Sequence, residues 1–426
     1  MTDWLVYATP GRGHIYPAVG ALLELRDRGH QIAIRCGAAE ARELAALGFD
    51  AAPVSPAVEA VDTEDWKART PIGAQRLEVR AFARRAAAEQ PDLRAAIEEL
   101  RPRALLVDAL GWGAMATADA SDLPWALLGH FALPIASHDA PPYGLGLRPA
   151  RGPLGRVRDT LARHLLLRPL ERTALPAVNG ARATEGLAPL RSADELFGRT
   201  APLVLQFTAE PFEYPRSDWP PAVRLVGPGT FDPPSEEPDW LAAEQRPVVL
   251  VTCSTDFQDD GRLIAATVEA LAGEELFVVA TTAAVDPGTI KQAANARVER
   301  FLPHSPIIRR AACVVCHGGQ GITQKALAAG VPVVAVPFGR DQYEVARRVE
   351  VAGAGVRLPA PKLRADRLRA AVRQAIGMRE GAKRVADGFA AAGGSAAAAD
   401  AMEALAGPAT RPAGARGTAL SAPRTP

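Results

Sequence analysis

Short, largely apolar runs alternate with helical patterns along most of the chain. The runs at 5–9, 31–36, 104–107 and 247–252 are short and continuous, which predicts buried parallel strands. The segments between such runs carry apolar residues three and four positions apart, the spacing of an amphipathic helix. Repeated strand–helix–strand units of this kind indicate an α/β protein with doubly wound parallel sheets.

A proline-rich stretch divides this pattern into two halves. Prolines recur over 210–238, so we predict a first domain at 1–209, a linker at 210–238 and a second domain at 239–382. Residues 383–406 form an alanine-rich helical pattern, and 407–426 have the composition of a disordered tail. The sequence therefore predicts two similar domains joined by a proline-rich connection.

Bulk composition excludes several classes of function. Among 426 residues, 49 lysines and arginines nearly balance 48 aspartates and glutamates, so no overall charge attracts nucleic acid or an anionic membrane. No apolar stretch approaches the roughly 20 residues that span a bilayer, and no signal peptide is recognisable. Four cysteines are too few for a disulfide framework. We therefore expect a cytoplasmic protein without a membrane span.

One segment of the first half combines apolar residues with many arginines. Residues 156–170 predict an amphipathic basic helix after a loop rich in proline and glycine. Two interpretations are open for this helix: a solvated surface face, or a lid at the rim of a substrate cleft.

A glycine-rich turn in the second half has the features of a phosphate site. The apolar run 311–316 predicts a strand, and H-G-G-Q-G at 317–321 follows it directly before a helical pattern. Glycines allow a tight turn and close approach to a ligand, and the free N–H groups at a helix start attract phosphate. His317 and Thr323 would add two hydrogen-bond donors. The sequence thus predicts a site for a phosphorylated ligand.

A second glycine-rich turn ends in His14, a few residues before a helix predicted to begin near Pro17. A helix N-terminus disfavours positive charge, so this imidazole would stay neutral and able to act as a general base. A turn histidine can equally be structural. Asp108 ends a predicted strand of the same domain, where it would orient His14 as the aspartate of a hydrolase triad orients its histidine. The alternative for Asp108 is the N-cap of the helix that follows.

Several familiar motifs are missing from the sequence. It contains neither a G-x-S-x-G elbow at a strand–helix turn nor a P-loop lysine, and the G-x-G at 11–13 lacks the third glycine of a dinucleotide fingerprint. The remaining histidines, among them His130, His138 and His164, show no ligand spacing. No metal site is therefore predicted.

The motifs, in this order, resemble those of the GT-B glycosyltransferases, in the family of UDP-glycosyltransferases and bacterial antibiotic or macrolide glycosyltransferases. The resemblance covers about residues 1–405. It rests on GRGHIYP at 11–17, VGP at 226–228, FLPH at 301–304, HGGxG at 317–321, ALAAGVP at 326–332 and DQ at 341–342. It implies a GT-B fold, in which two doubly wound Rossmann-like parallel-sheet domains face each other across a cleft.

The resemblance also implies a division of roles. The N-terminal domain would bind a small lipophilic acceptor, the C-terminal domain would bind a nucleotide-diphosphate sugar, and the helix at 383–406 would return to the N-terminal domain. His14 would deprotonate an acceptor hydroxyl for inverting attack, with Asp108 orienting it. The residues implied in binding the nucleotide sugar are Thr255, Phe301, Leu302, His304, His317, Gly318, Gly319, Gly321, Thr323, Asp341 and Gln342. The sugar nucleotide is a co-substrate, so no cofactor is implied. The sequence does not choose between UDP and dTDP and says nothing of oligomeric state.

Four positions depart from the family pattern. Lys325 stands where most members have a glutamate that holds the ribose hydroxyls, and a lysine offers donors but no acceptor. Ile322 replaces a hydroxyl residue, Ser254 replaces a glycine, and Val345 stands where an asparagine follows the Asp-Gln pair. Replacing Lys325 with glutamate is expected to strengthen uridine-donor binding if the ribose contact was merely lost, and to weaken it if Lys325 has a partner of its own.

Three functions remain open at this point. The first is an inverting glycosyltransferase acting on a lipophilic natural product. The second is a non-catalytic homologue that serves as a helper or binding subunit, which the departures would favour. The third is a nucleotide-sugar epimerase, which needs no acceptor. Fold alone does not choose between them.

Overall fold

Two all-parallel sheets with helices on both faces make up the protein. The computed structural model describes residues 2–63, 67–68, 71–150, 152–198, 200–254, 261–283 and 285–407. The predicted site residue Thr255 and the predicted tail after Gly407 lie outside the described residues.

The strands of the first sheet are β1 (Trp4–Tyr7), β2 (Ile32–Cys36), β3 (Asp50–Pro53), β4 (Ala104–Asp108), β5 (Trp125–Gly129), β6 (Leu203–Gln206) and β7 (Val223–Leu225). Those of the second sheet are β8 (Val248–Thr252), β9 (Phe277–Thr281), β10 (Ala296–Glu299), β11 (Ala311–Cys316), β12 (Val333–Ala335) and β13 (Gly355–Arg357).

The helices of the first half are α1 (Arg12–Asp27), α2 (Ala38–Ala46), α3 (Pro56–Glu59), α4 (Pro71–Leu100), α5 (Trp112–Ala120), α6 (Pro153–Ala162), α7 (Arg168–Thr184) and α8 (Ala193–Gly198), with a π-helical turn at Arg163–Leu167. Those of the second half are α9 (Asp239–Ala243), α10 (Arg262–Leu271), α11 (His304–Arg310), α12 (Gln320–Ala328), α13 (Gln342–Val351), α14 (Ala365–Ile376), α15 (Arg379–Ala391) and α16 (Gly394–Ala406). Along the described ranges, no helix has both the length and the apolar character needed to cross a membrane.

Strand order places a crevice in each sheet. The first sheet runs β3-β2-β1-β4-β5-β6-β7, and the second runs β10-β9-β8-β11-β12-β13. The order reverses between β1 and β4 and again between β8 and β11. In an open parallel sheet, ligands bind beyond the carboxyl ends of the strands at such a reversal. The arrangement confirms the predicted α/β class with two doubly wound parallel sheets.

Both faces of each sheet are buried, which explains the continuous apolar runs. In β1, Leu5 and Tyr7 pack into one core, while Trp4 and Val6 pack into the core on the opposite face. All four side chains are fully buried. Since strand side chains alternate between faces, a strand covered on both sides must be apolar at every position.

The alanine-rich segment at 383–406 is two helices rather than one. Phe389 of α15 packs into a core of the second sheet, whereas Met402 of α16 packs against α1 and the first sheet. Gly393, between the helices, and Gly394, the first residue of α16, have φ of +86° and +58°, a left-handed backbone that interrupts the helix. Only the second helix therefore returns to the first domain.

Part of the predicted linker belongs to the first sheet. Strand β7 lies inside 210–238 and pairs in parallel with β6. This strand has only three residues and lies close to prolines, so the apolar pattern does not predict it.

Buried ionic contacts join the loop after β5 to the second domain. Glu344 in the first turn of α13 accepts backbone hydrogen bonds from Gly144 at 2.8 Å and from Gly146 at 2.7 Å. It also pairs with Arg348 at 2.9 Å, and Arg348 pairs with Glu213 of the linker at 2.9 Å. Because the loss of one partner would leave a buried charge unpaired, this network holds the loop, the linker and α13 together.

Candidate active site

Polar residues from both domains meet in one cavity of about 1830 Å³. It lies beyond the carboxyl ends of β1, β4 and β5 on one side and of β8, β9, β11 and β12 on the other. Since these strands flank the two reversals of strand order, the topology brings their loops together. Of the predicted site residues, the cavity lining includes His14, Phe301, His304, His317, Gly319, Gly321, Asp341 and Gln342.

Asp108 ends β4, is fully buried, and accepts hydrogen bonds on both carboxylate oxygens. Its Oδ2 accepts from His14 Nδ1 at 2.7 Å and from the hydroxyl of Thr9 at 2.5 Å. Its Oδ1 accepts from His130 Nε2 at 2.8 Å and from the backbone of Leu110 at 3.0 Å. Burial favours a raised pKa, but the two histidines hold the pKa of Asp108 well below its ordinary value. Asp108 is therefore an ionised acceptor.

This arrangement decides which nitrogen of His14 carries the proton. An ionised carboxylate only accepts, so Nδ1 of His14 is the N–H donor and Nε2 is left as an acceptor. Burial lowers the pKa of His14 below its ordinary 6.5 despite the opposing charge of Asp108, and His130 lowers it further. His14 thus presents a neutral imidazole to the cavity, as a general base requires.

Helix α1 begins at Arg12, earlier than the start near Pro17 that the sequence predicted. His14 therefore lies in the first turn of the helix, with its N–H bonded to the carbonyl of Gly11 at 3.1 Å. Pro17 is tolerated in the second turn, where its missing N–H removes a single helical hydrogen bond. The positive end of the helix dipole is then close to the imidazole and adds to the forces that keep it neutral.

His130 is a site residue that the sequence analysis missed. It directly follows β5, which neighbours β4, and its ring centroid lies 4.5 Å from that of His14. It lines the cavity, and it is close enough to Asp341 of the other domain for their charges to interact. The prediction that the remaining histidines do not cluster is therefore wrong for His130. The apolar run 125–128 also predicts a strand, and the position of His130 just after it was the available signal, by the reasoning applied to Asp108.

His14, Asp108 and His130 also satisfy a geometric condition for metal binding. One ligand atom from each lies within 4.8 Å of the others. Both imidazole N–H groups, however, are directed at the carboxylate, so an ion would have to displace these protons. The arrangement is accounted for by hydrogen bonding alone, and the absence of a metal stays a prediction.

The glycine turn after β11 holds His317 at the cavity. A Cβ at Gly319 would overlap Nε2 of His317, so this close approach requires glycine. Gly319, Gln320 and Gly321 at the start of α12 all line the cavity, where the first N–H groups of a helix favour an anion. Burial, reinforced by Arg340, lowers the pKa of His317 to about 4. His317 is therefore a neutral hydrogen-bonding group near pH 7.

Three residues predicted to contact the ligand do not line this cavity. Thr323 is fully buried, and its hydroxyl lies 3.5 Å from Sγ of Cys316, because this position of α12 faces the sheet. Leu302 packs against a core of the second sheet. Gly318 has φ of +87° and shapes the turn against the backbone of Gln342. The structure does not place these three residues at the cavity surface, and their part in binding the ligand stays a prediction.

Phe301, just before α11, and His304, the first residue of α11, both face the cavity. The Phe301 ring is 65% exposed, an unusual position for a large aromatic side chain, and Cζ of Arg12 in the first domain lies 5.9 Å from its centroid. His304 Nε2 lies 3.0 Å from the hydroxyl of Thr281, and burial lowers its pKa to about 4. An exposed ring of this kind offers a flat apolar surface for stacking.

Asp341 and Gln342 lie between β12 and α13. The Gln342 side-chain carbonyl accepts hydrogen bonds from the backbone N–H groups of Phe338 at 2.8 Å and Gly339 at 3.1 Å, which holds the loop in place. Burial raises the pKa of Asp341, against the effect of His130 and Arg340. Arg340 has φ of +52°, a strained conformation for a non-glycine residue, and it lines the cavity. Nothing in the sequence pattern indicated a role for this cation.

Lys325 forms an ion pair with Asp232 of the linker and donates to the carbonyl of Phe231 at 3.2 Å. Asp232 also accepts from the hydroxyl and the backbone N–H of Ser305. Burial favours a raised pKa for Asp232, but Lys325 and these hydrogen bonds hold it below its ordinary value. Lys325 and Asp232 both line the cavity. Lys325, which replaces the glutamate of the family pattern, is thus paired with a carboxylate from the linker, that of Asp232.

The other departures have different surroundings. Val345 is fully buried in a core of the second sheet, so an apolar residue is suited to its position. Ile322 packs partly on that core and partly lines the cavity, and Ser254 lines the cavity beyond β8.

Comparison with known proteins identifies the family. Residues 263–405 match the family model described as "Erythromycin biosynthesis protein CIII-like, C-terminal domain". The chain is 34% identical over 419 residues to 4'-demethylrebeccamycin synthase of Lentzea aerocolonigenes, a match that covers 94% of this chain and 99% of that protein. The glycosyltransferase of kitacinnamycin superposes with a TM-score of 0.74 at 22% identity, over 95% of this chain and 99% of that chain. Glycosyltransferase VinC, solved in complex with dTDP, superposes with a TM-score of 0.71 at 21% identity, over 95% and 99%.

The chain belongs to the bacterial antibiotic glycosyltransferases, and its two doubly wound domains have the GT-B fold of that family. The family resemblance and the fold class predicted from the sequence are both confirmed. The protein is a glycosyltransferase.

Proposed function

We propose that the protein is an inverting glycosyltransferase that moves a hexose from a UDP- or dTDP-sugar to a hydroxyl of a small lipophilic natural product. One observation carries this proposal. His14, which is hydrogen-bonded to Asp108 in the first domain, and the His317 turn of the second domain line a single cavity from opposite sides. The first is suited to activating a nucleophile, and the second to holding a diphosphate.

The reaction begins with the acceptor hydroxyl beside His14. Nε2 of His14 takes the hydroxyl proton while the acceptor oxygen forms a bond to the anomeric carbon of the sugar. The bond from that carbon to the diphosphate oxygen breaks, and its electron pair leaves with the diphosphate. Attack from the side opposite the leaving group inverts the anomeric configuration. Asp108 holds Nδ1–H throughout and stabilises the imidazolium that forms.

The second domain stabilises the charge that develops on the leaving diphosphate. The N-terminus of α12, the neutral His317 and the cation Arg340 supply prearranged donors and positive charge on that side of the cavity. Since these groups belong to the protein, we propose that the transfer needs no metal ion and no cofactor. Phe301 offers a stacking surface for the base, while Asp341 and Gln342 face the region of the sugar.

The acceptor side of the cavity suits an apolar molecule. Aromatic and aliphatic side chains of the first domain form much of it: Val79, Phe82, Trp112, Phe131, Tyr143, Leu196 and Phe197. A largely apolar pocket with a few polar groups at one end is typical of small-molecule sites. The similarity to 4'-demethylrebeccamycin synthase also supports a natural-product acceptor.

Binding and turnover together test the proposal. We expect UDP or dTDP to bind the purified protein at micromolar concentration in calorimetry, and the matching sugar nucleotide to be consumed only when an acceptor is present. Binding of neither nucleotide would contradict the proposal and favour a helper subunit. A new nucleotide sugar formed without acceptor would instead identify an epimerase. The pairing of Lys325 with Asp232 weakens the case for a helper subunit, since this departure from the family pattern is accommodated.

Replacing Lys325 with glutamate is expected to weaken nucleotide binding by about tenfold, since it exchanges an ion pair for two facing carboxylates. Calorimetry with UDP and dTDP would measure the change. The charge-reversed double variant D232K/K325E restores opposite charges and is the matched control, expected to recover part of the loss. Tighter binding of UDP by K325E alone would contradict a role for the pair and point to a lost ribose contact.

The pH dependence of transfer follows from the protonation of His14. The base acts only when neutral, so kcat/KM should be constant near pH 7–8 and fall as His14 becomes protonated at lower pH. Because burial lowers the pKa of His14 from 6.5, the midpoint of this fall should lie below 6.5. Initial rates at subsaturating acceptor, across buffers of equal ionic strength, would measure it. A midpoint above 6.5 would mean that Asp108 outweighs burial.

A further inference from the structure

Helix α6 and the π-helical turn after it carry an exposed apolar stripe. Leu154, Val157, Leu161 and Leu165 are spaced three or four positions apart, so they lie along one face. They are exposed to 86%, 57%, 55% and 70% respectively. Single exposed leucines are ordinary on a protein surface, but a continuous row of four marks an interaction site.

The opposite face attaches this helix to the protein. Gly155 is buried against the backbone of Ala150, and Arg163 donates to the carbonyl of Ser137 at 3.1 Å. Because Gly155 and Arg163 are held against the protein while all four side chains of the stripe are exposed, the stripe points away from the protein. Only Leu165, at its end, also lines the cavity. A lid over the cleft would need the whole row to face inward, so the geometry disfavours that interpretation.

The surroundings of the stripe are strongly basic. Residues 148–172 contain seven arginines and two acidic residues, a local charge of +5, whereas the whole chain carries +1. Within the described residues, the side chains of Arg156, Arg168 and Arg172 form no ion pair. Arg168 and Arg172 also line a shallow surface pocket together with Arg191. The balanced overall composition therefore hides a local concentration of positive charge.

We propose that this face docks on the surface of an anionic phospholipid bilayer. A helix with an apolar stripe and basic flanks lies in the plane of such a surface, with its leucines at the acyl boundary and its arginines among the phosphates. The charge selects this occupant over a second copy of the chain, because self-association through the stripe would oppose two patches of like charge.

Docking would place the entrance of the cavity at the bilayer. The stripe ends at Leu165, which lines the cavity, so a lipophilic molecule dissolved in the membrane would meet the opening directly. This consequence rests on the proposed function, whereas the docking itself does not. Membrane binding is therefore tested without any measurement of transfer.

Flotation of the full chain with lipid vesicles tests the docking. We expect the protein to float with vesicles of phosphatidylcholine and phosphatidylglycerol in equal parts, but not with phosphatidylcholine alone, and to be released as salt rises. The double variant L154Q/L161Q should bind at least roughly tenfold more weakly. The double variant R156Q/R172Q should lose on the order of thirtyfold, at about fivefold to sixfold for each arginine near an anionic surface.

Matched control variants distinguish binding through this face from a general effect of lost charge or lost apolar surface. R364Q/R367Q removes the same charge from exposed arginines of the second domain, and V351Q removes a partly exposed apolar side chain there; both should bind like the unaltered protein. Circular dichroism would verify that every variant is folded. The proposal is overturned if the unaltered protein does not float with anionic vesicles, or if all variants bind equally. A dimer in analytical ultracentrifugation that L154Q/L161Q dissociates, without vesicle binding, would overturn it in favour of self-association.

Discussion

Replacing His14 with alanine is expected to reduce turnover by roughly 100- to 10,000-fold, the usual contribution of a positioned general base. The imidazole is the neutral base aimed at the cavity from the first domain, and Asp108 and the helix start maintain that state. Nucleotide binding should be nearly unchanged, because the groups assigned to the diphosphate belong to the second domain. Steady-state kinetics with saturating donor would measure the first effect, and calorimetry the second.

His138→Ala is the matched control for this variant. His138 is an exposed histidine of the same domain that does not line the cavity, so its loss should leave turnover unchanged. If His14→Ala retains full turnover, the role assigned to His14 is wrong. Equal losses of turnover and nucleotide affinity would instead indicate a change in the shape of the cavity.

Replacing Asp108 with asparagine should also reduce turnover, by about 100-fold or more. Two histidine N–H groups now share one carboxylate, whereas an asparagine offers one acceptor oxygen and an NH₂ donor. One of the histidines must then turn its proton to the other nitrogen. If His14 does so, its Nε2 carries hydrogen and no longer accepts the acceptor proton. Rates and thermal stability of the purified variant would be measured together.

Two comparisons distinguish positioning from simple destabilisation. Asp119→Asn removes a carboxylate of the same domain that pairs with Arg182 outside the cavity, so it should affect stability without this loss of turnover. The double variant H14A/D108N should be little slower than H14A alone, since Asp108 acts through His14. Multiplied losses in the double variant would show that Asp108 contributes independently, for example through His130.

The sequence predicted those features that depend on local pattern. The apolar run and glycine turn at 311–321 identified a strand, a tight turn and a helix start, and the structure has each of them. His14 was predicted from its place between a glycine turn and a helix, and Asp108 from its place at the end of a predicted strand in the same domain. Their mutual distance did not follow, because strand pairing is decided by contacts between residues far apart in the chain.

Whether the other predicted residues reach the cavity depends on which face of a helix or strand they occupy. Thr323 belongs to the recognised motif, but the rotation of α12 turns it towards Cys316 and the sheet. His130 was passed over because its partners, Asp108 and His14, are 22 and 116 positions away in the sequence. Neither outcome is visible in residue spacing, since both depend on how a helix or strand is oriented within the domain.

The sequence by itself determined the α/β class, the two doubly wound domains and the family, and it predicted His14 and Asp108 as the catalytic pair. These follow from periodicity and from short motifs, which are local properties of the chain. The tertiary structure decided that His130 also hydrogen-bonds to Asp108 and which nitrogen of His14 carries the proton. It also decided that Lys325 pairs with Asp232 and that the leucines of α6 face outward. Each of these depends on long-range packing and on burial, because only packing settles which charges meet and which apolar side chains stay exposed.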